Sequence, residues 1–379
     1  MTRPPREPIG IYIHIPFCGS ICDYCNFNRS LHDAGERVRY VEALTRDIAR
    51  VSDLARADTV YFGGGTPSLL ERDELTRIVC ACRDTLRIAP DAEVTLEVNP
   101  ETIAPDACEG WREAGITRLS IGVQSFDDAE LARLGRRHSA RTAKEGVAVV
   151  RAAGFDNISL DLMMWLPAQT VDAWLQNVDA LIALEPDHAS LYLLEVYPNA
   201  PLRDTMARAH WAQAPDDDAA EMYERAMERL ADAGLQQYEI SNVARAGREA
   251  RHNLKYWSDG EWLAFGCGAH GTRDDVRWRN VTGTDDYIRR VAAGESVRAD
   301  SRRLTPGERL QEALFMGLRL TRGVDLGAIA ARYGVDVWEQ YGEALFPYVE
   351  SGHVRYDGTR LHLTRAGMLV ANEILSVFV

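Results

Sequence analysis

IHIPFCGSICDYCNF, residues 13–27, places Cys18, Cys22 and Cys25 in a C-x3-C-x2-C spacing beside Phe17, Tyr24 and Phe27. The cysteines follow a short apolar run, IGIYIHI (9–15), that reads as the first strand of a sheet. Three thiolates can hold a metal, but a closed metal site usually takes four ligands. Whatever fills the fourth position decides the chemistry, and where the cysteines stand in the fold decides the architecture.

Working outward, further strand candidates are TVYF (59–62), VTLEV (94–98), RLSIGV (118–123), ISLDLMM (158–164) and SLYLLEV (190–196), with YEI (238–240) as another. Amphipathic stretches separate them. In residues 217–233, Met222, Ala226 and Leu230 recur at i, i+4 and i+8, and Gly234 is placed to end the helix. Consecutive strands lie far enough apart for a helical crossover each time, which predicts a parallel α/β sheet of six or seven units. The expected architecture is a partial (β/α)6-type barrel over residues 1–240. Residues 241–300 read as a connecting segment. Residues 301–379 read as helix, helix, a hairpin turning at Asp357 and Gly358, and a last helix over 365–377: a small winged-helix-like module.

Lys and Arg number 43 and Asp and Glu 57, so the net charge is −14. That balance argues against nonspecific attraction to nucleic acid or to an anionic membrane. No run approaches the length of a transmembrane helix, and the expectation is a cytoplasmic protein. Seven cysteines, an odd number with three bunched within eight residues, do not resemble a secreted disulfide framework.

The cysteine cluster has three readings. It could belong to a zinc site, with His14 the only nearby fourth ligand; it could be structural thiols; or it could hold three irons of a [4Fe-4S] cluster. In the third reading the open iron suits a ligand with adjacent amino and carboxylate groups. S-adenosylmethionine is such a ligand, and a reduced cluster can cleave it to a radical. Next, YFGGGTPS (61–68) removes side chains from three successive positions after the second strand, so that backbone groups can approach a ligand. Gly64, Gly65 and Thr66 are therefore candidates to cradle the cofactor. In barrels of this kind functional groups gather at the C-terminal ends of strands. Glu97, Gln124, Asp161 and Glu195 stand there, and Glu97, Gln124, Asp161 and Arg136 are candidate partners for the cofactor's polar groups. The plain alternatives are helix-capping carboxylates and an arginine on a solvated helix end.

Taken together, YIHIPFC-x3-C-x-YC-x-F, GGGTPS, LEVNP, SIGVQSF, LGRRH and HNLKYW resemble the oxygen-independent coproporphyrinogen III oxidase-like branch of radical S-adenosylmethionine proteins. The resemblance runs from about residue 9 to the C-terminal helix and is nearest to the HemW-type haem chaperones. It implies that Cys18, Cys22 and Cys25 ligate the cluster and that Tyr12 lies against the cofactor. It further implies that Gly64, Gly65, Thr66, Glu97, Gln124, Arg136 and Asp161 line sites for one or two S-adenosylmethionine molecules, with His270 of FGCGAHG approaching cofactor or haem. The dehydrogenases of this branch carry a further cysteine two residues after the third ligand, where this chain has Phe27, and a long N-terminal extension. Here 17 residues precede Cys18.

The resemblance also singles out HNLKYW (252–257), with His252 offered to haem iron and Tyr256 and Trp257 covering a macrocycle face. The plain alternative for His252 is a capped histidine beside core aromatics. Two departures stand out. WLPAQ puts Trp165 and Ala168 where glycines are expected, so that the indole would reshape the pocket. Cys267 takes a small-residue position, where packing is the expected role. The implied function is binding of haem and its delivery to cytoplasmic or membrane-anchored haemoproteins. The competing reading is radical chemistry on coproporphyrinogen III or a methyl transfer, and Phe27 argues against the dehydrogenase.

Overall fold

A computed structural model describes residues 7–51, 56–198 and 200–379. Six strands, β1 (Ile9–Ile15), β2 (Arg56–Gly64), β3 (Arg87–Val98), β4 (Arg118–Gln124), β5 (Ile158–Met164) and β6 (His188–Leu193), pair in that order, all parallel. Helices Ala34–Ala49, Arg72–Thr85, Pro105–Ala114, Ala140–Ala152, Val171–Ile182 and Asp216–Asp232 follow the successive strands.

Strand parity explains both faces of this sheet. In β1, Ile9, Ile11, Ile13 and Ile15 join Val60, Phe62, Val94, Leu96, Leu119 and Leu160 in one core with the helices. Each such side chain removed from water stabilises the fold by roughly 1.5–3 kcal/mol. The alternate residues project to the opposite face: Gly10, Tyr12 and His14 from β1, Thr59, Tyr61 and Gly63 from β2, Glu93, Thr95 and Glu97 from β3. The barrel interior is therefore polar. Its contents are functional candidates, because an ordinary core would not collect carboxylates and imidazoles.

The sheet extends beyond the six strands. Trp262–Phe265 pairs parallel with the free edge of β1, and His270–Arg273, Val276–Asn280 and Arg298–Arg303 continue it antiparallel. At the other end Asn242–Ala244 pairs antiparallel with β6 and with Gln236–Glu239. Residues 241–300 thus carry strands of the main sheet as well as linking it to the C-terminal module. The sheet ends, Arg298–Arg303 and Gln236–Glu239, are not neighbours in the strand order, so the barrel is open.

The C-terminal module has helices Pro306–Gly317, Leu326–Tyr333 and Val337–Glu350 and a small sheet ordered Val324–Asp325, Arg360–Leu363, Val354–Tyr356. This is a winged-helix arrangement, and its wing turns at Gly358, which has φ +91°. Three local expectations are corrected. The strand expected over 190–196 ends at Leu193; the one expected over 238–240 is Gln236–Glu239; and the last helix is broken at Val370 into Arg365–Leu369 and Ala371–Leu375. The helix expected over 217–233 spans Asp216–Asp232, and Gly234, with φ +83°, ends it. Among the described residues no helix is long and apolar enough to cross a membrane.

Candidate functional site

The loop after β1 is pinned at both ends. Phe17–Cys18 pairs parallel with Ser30–Leu31, and the amides of Ser30 and His32 donate to the carbonyls of Pro16 and Cys18 at 2.8 and 2.9 Å. Cys18, Cys22 and Cys25 are all reduced and line one cavity of about 460 Å³ at the C-terminal ends of the strands. Its wall also carries Gly64, Gly65, Thr66, Glu97, Gln124, Arg136 and Asp161. Residues from four further strands are thus gathered around the cysteine loop.

The glycine run is explained by what a side chain would strike. A Cβ at Gly65 would stand 2.7 Å from the Phe17 carbonyl oxygen, and one at Gly64, with φ +117°, would stand 2.5 Å from the His14 ring. The amide of Thr66 donates to that same Phe17 carbonyl at 2.7 Å. The glycines therefore let the second strand end pack directly under the cysteine loop, in addition to leaving backbone open to the cavity.

Glu97 is half-buried at the cavity floor, where it accepts hydrogen bonds from Tyr61 OH at 2.8 Å and the Gly64 amide at 3.1 Å. Burial pushes its carboxyl up to about 7, against the opposing effect of the Tyr61 hydrogen bond. Asp161, also raised by burial, accepts from the hydroxyls of Ser120 at 3.1 Å and Ser159 at 3.3 Å. Gln124 has φ +67°, which turns its amide back over Gly122. Arg136 donates to the Gly122 carbonyl at 2.7 Å and to Asn99 Oδ1 at 2.9 Å, and reaches 3.6 Å from Cys22 Sγ. Its Nε is buried without a hydrogen-bond partner.

These features fit the groups expected there. Among the described residues, no three His, Cys, Asp or Glu side chains converge closely enough to hold a single metal ion. Thiolates that each ligate a different iron of a cluster need not converge on a point, whereas zinc ligands must. His14 is also spent as a fourth ligand: its Nε2 donates to the Asn28 carbonyl at 2.7 Å, and its Nδ1 lies 3.1 Å from Tyr12 OH. Arg136, through its unpartnered Nε, offers a donor to a carboxylate, and Glu97 and Asp161 offer acceptors to amino or hydroxyl groups.

Other candidates fall elsewhere. Tyr12 is not in the cavity wall; it stacks on Tyr61 at 6.2 Å, and Tyr61 is the ring that reaches the cavity. His252 is buried inside the barrel near the N-terminal ends of the strands, with Nδ1 2.8 Å from Thr59 Oγ1 and Nε2 2.8 Å from Tyr256 OH. Both nitrogens are engaged, and burial brings the ring down to about 3, so it is neutral. His270 is exposed and lines a separate cavity with Tyr256 and Trp257. Trp165 does not reshape the first cavity, because its Nε1 donates away from it, to the Ala214 carbonyl at 2.7 Å. Trp165 and Ala168 have φ +62° and +60°, the conformation that glycine would adopt without strain. Cys267 is fully buried, with its Sγ 3.6 Å from Asn28 Nδ2.

Residues missed in the sequence are Tyr61, Asn99 and Ser120. All three lay inside quoted motifs, and the period-2 pattern places Tyr61 and Ser120 on the interior face.

Comparison with known proteins gives the same grouping. The radical SAM superfamily matches residues 12–181, and the HemN C-terminal domain matches residues 304–370. The protein named heme chaperone HemW of Bacillus subtilis is 35% identical over 97% of this chain and 98% of its own length. Its namesake in Mycobacterium tuberculosis is 37% identical over 98% and 95%. The solved coproporphyrinogen III oxidase HemN of Escherichia coli superposes with a TM-score of 0.88 over 100% of this chain and 91% of that one, at 22% identity, which shows a shared fold. With near-complete coverage at this identity, the chain belongs to the HemW family of radical SAM proteins.

Proposed function

We propose that this protein is a haem chaperone of the cytoplasm: it binds haem, carries a [4Fe-4S] cluster with S-adenosylmethionine, and passes haem to acceptor haemoproteins. The observation that carries the reading is the near full-length similarity to proteins named heme chaperones, joined to a cavity in which three unpaired cysteines meet a bare glycine backbone. Cys18, Cys22 and Cys25 would hold the cluster. The remaining iron position is left to the cofactor's amino and carboxylate groups, with Gly64, Gly65, Thr66 and Arg136 beside them. Glu97, Gln124 and Asp161 would orient its polar atoms. When bound, the cluster and cofactor supply one-electron chemistry.

Phe27, 67% exposed at the cavity mouth, supports the chaperone over the dehydrogenase, because it presents an apolar ring where a further thiol would stand. A radical enzyme acting on coproporphyrinogen III, or a methyl transferase, is favoured only by how complete the cavity is. Two assays separate the readings. The chaperone reading expects a saturable Soret change when purified protein is titrated with haemin, and no protoporphyrinogen IX from coproporphyrinogen III after anaerobic reconstitution and reduction. Failure of saturation with formation of that product would overturn it.

A further inference from the structure

Strand parity leaves one cation inside the barrel without a partner. Leu119 and Ile121 of β4 join the helix-facing core, so Arg118, Ser120 and Gly122 project to the interior. Arg118 is only 2% exposed. Its Nε is buried without a hydrogen-bond partner, and among the described residues no carboxylate lies within ion-pair distance of its guanidinium. Directly across on β3, in register with Arg118, Thr95 is 0% exposed, and its Oγ1 also has no partner. The two side chains stand one interior layer below Glu97 and Ser120, which come two residues later on the same strands and line the cysteine cavity.

The interior carboxylates do not answer this charge. Glu97 accepts from Tyr61 OH and the Gly64 amide, Asp161 from the hydroxyls of Ser120 and Ser159, and Glu93 from the amides of Arg251 and His252 at 3.1 Å each. Neutral donors hold all three. The imidazoles of this interior are neutral as well. Burial, and after it the Arg118 charge, push His188 down, and its ring is fixed between Ser159 Oγ and Tyr238 OH at 2.8 Å each. Burial does the same to His252. A guanidinium stays ionised at any ordinary pH and offers five N–H donors, and a buried charge left unpaired is strongly unfavourable. Water would satisfy the donors but not the charge, whereas one small anion satisfies both.

We propose that the barrel interior holds a small monovalent anion of halide size, bound by the guanidinium of Arg118 and the hydroxyl of Thr95 beneath the floor of the cysteine cavity. Neither residue lines the cysteine cavity or the cavity at His270, and Tyr61, Glu97 and Ser120 close the interior above them, which selects chloride over the carboxylate of a larger ligand. The site does not depend on the chaperone reading. Its consequence for the cavity is electrostatic: an anion here cancels the Arg118 charge one layer below Glu97 and Asp161, so that the ionisation of both carboxylates is left to whatever the cavity binds.

The test uses the full-length protein in two measurements. In the first, thermal unfolding is followed as sodium chloride or sodium bromide replaces sodium gluconate at constant ionic strength. The expected result is a saturable rise of the midpoint, about 3 °C at a hundredfold excess over the dissociation constant. The rise should be absent in Arg118→Met and should need about tenfold more chloride in Thr95→Val. Thr95→Val keeps the shape of the side chain, so it carries the test if Arg118→Met does not fold. In the second, crystals grown in bromide should show an anomalous peak at hydrogen-bonding distance from the guanidinium. Equal midpoints in chloride and gluconate, a rise that neither substitution alters, water in place of bromide at that position, or a bromide peak with no saturable rise in solution, an adventitious ion only, would each overturn the site.

Discussion

Arg136 stands 3.6 Å from Cys22 Sγ while its other terminal nitrogen donates to Asn99 Oδ1 at 2.9 Å and the Gly122 carbonyl at 2.7 Å. One side chain thus ties the cysteine loop to two strand ends and sets a positive charge beside a proposed cluster ligand.

Arg136→Met should therefore have two separable effects. Loss of the hydrogen bonds leaves Asn99 and the Gly122 carbonyl underpaired, which costs about 1–3 kcal/mol in denaturant unfolding. The reconstituted cluster should retain its iron but become harder to reduce, because a cation and a sulfur-directed donor both raise the potential. A potentiometric titration checks the second effect. An unchanged potential would place Arg136 outside the cluster's field.

Cys22→Ser, by contrast, should remove cluster iron and sulfide while leaving thermal unfolding of the metal-free protein almost unmoved, since the thiol is only half-buried. Metal analysis beside a melting curve checks this. Full retention of iron would contradict the ligand assignment.

Glu97 and His252 impose opposite pH dependences on stability. Between an unperturbed value near 4.5 and its folded value of about 7, Glu97 holds a proton in the native state that the unfolded chain has lost, so its contribution falls as pH rises through that window. Between about 3 and 6.5 the unfolded chain protonates His252 while the native ring stays neutral, so its contribution rises with pH. The windows overlap, and the wild-type profile alone separates neither. The difference between wild type and Glu97→Gln should show the Glu97 slope, on the order of 3 kcal/mol across the window. Chemical denaturation at several pH values measures it; a flat difference would contradict the buried carboxyl.

The left-handed pair makes a contrast. Ala168→Gly should raise stability by up to about 1 kcal/mol, the relief of a φ of +60° outweighing the entropy that glycine adds to the unfolded chain. Trp165→Gly should lower it despite the same relief, because the indole's hydrogen bond to Ala214 is lost. Melting curves of the two variants should move in opposite directions.

The barrel was legible because its strands are buried on both faces and stand out as apolar runs between amphipathic helices, and the cysteines and glycines because each stands directly after such a run. The sheet extension was hidden: RADSRR (298–303) is an exposed edge strand without a hydrophobic period, and VRWRN (276–280), one strand further in, sets arginines beside its few apolar residues. The setting of His252 could not be read either, since its partner Thr59 lies 193 residues away and only the fold brings them together. Tyr12 was assigned by motif to a place that Tyr61, one strand over and at the same level, occupies.

The most direct test of the account is haem transfer. Full-length protein loaded with haemin is mixed with an apo-haemoprotein and the Soret spectra of donor and acceptor are followed together. A chaperone predicts loss of the donor spectrum matched by growth of the acceptor's, faster than free haemin dissociation allows. Haem that stays with the donor, or moves no faster than it dissociates, would contradict the account.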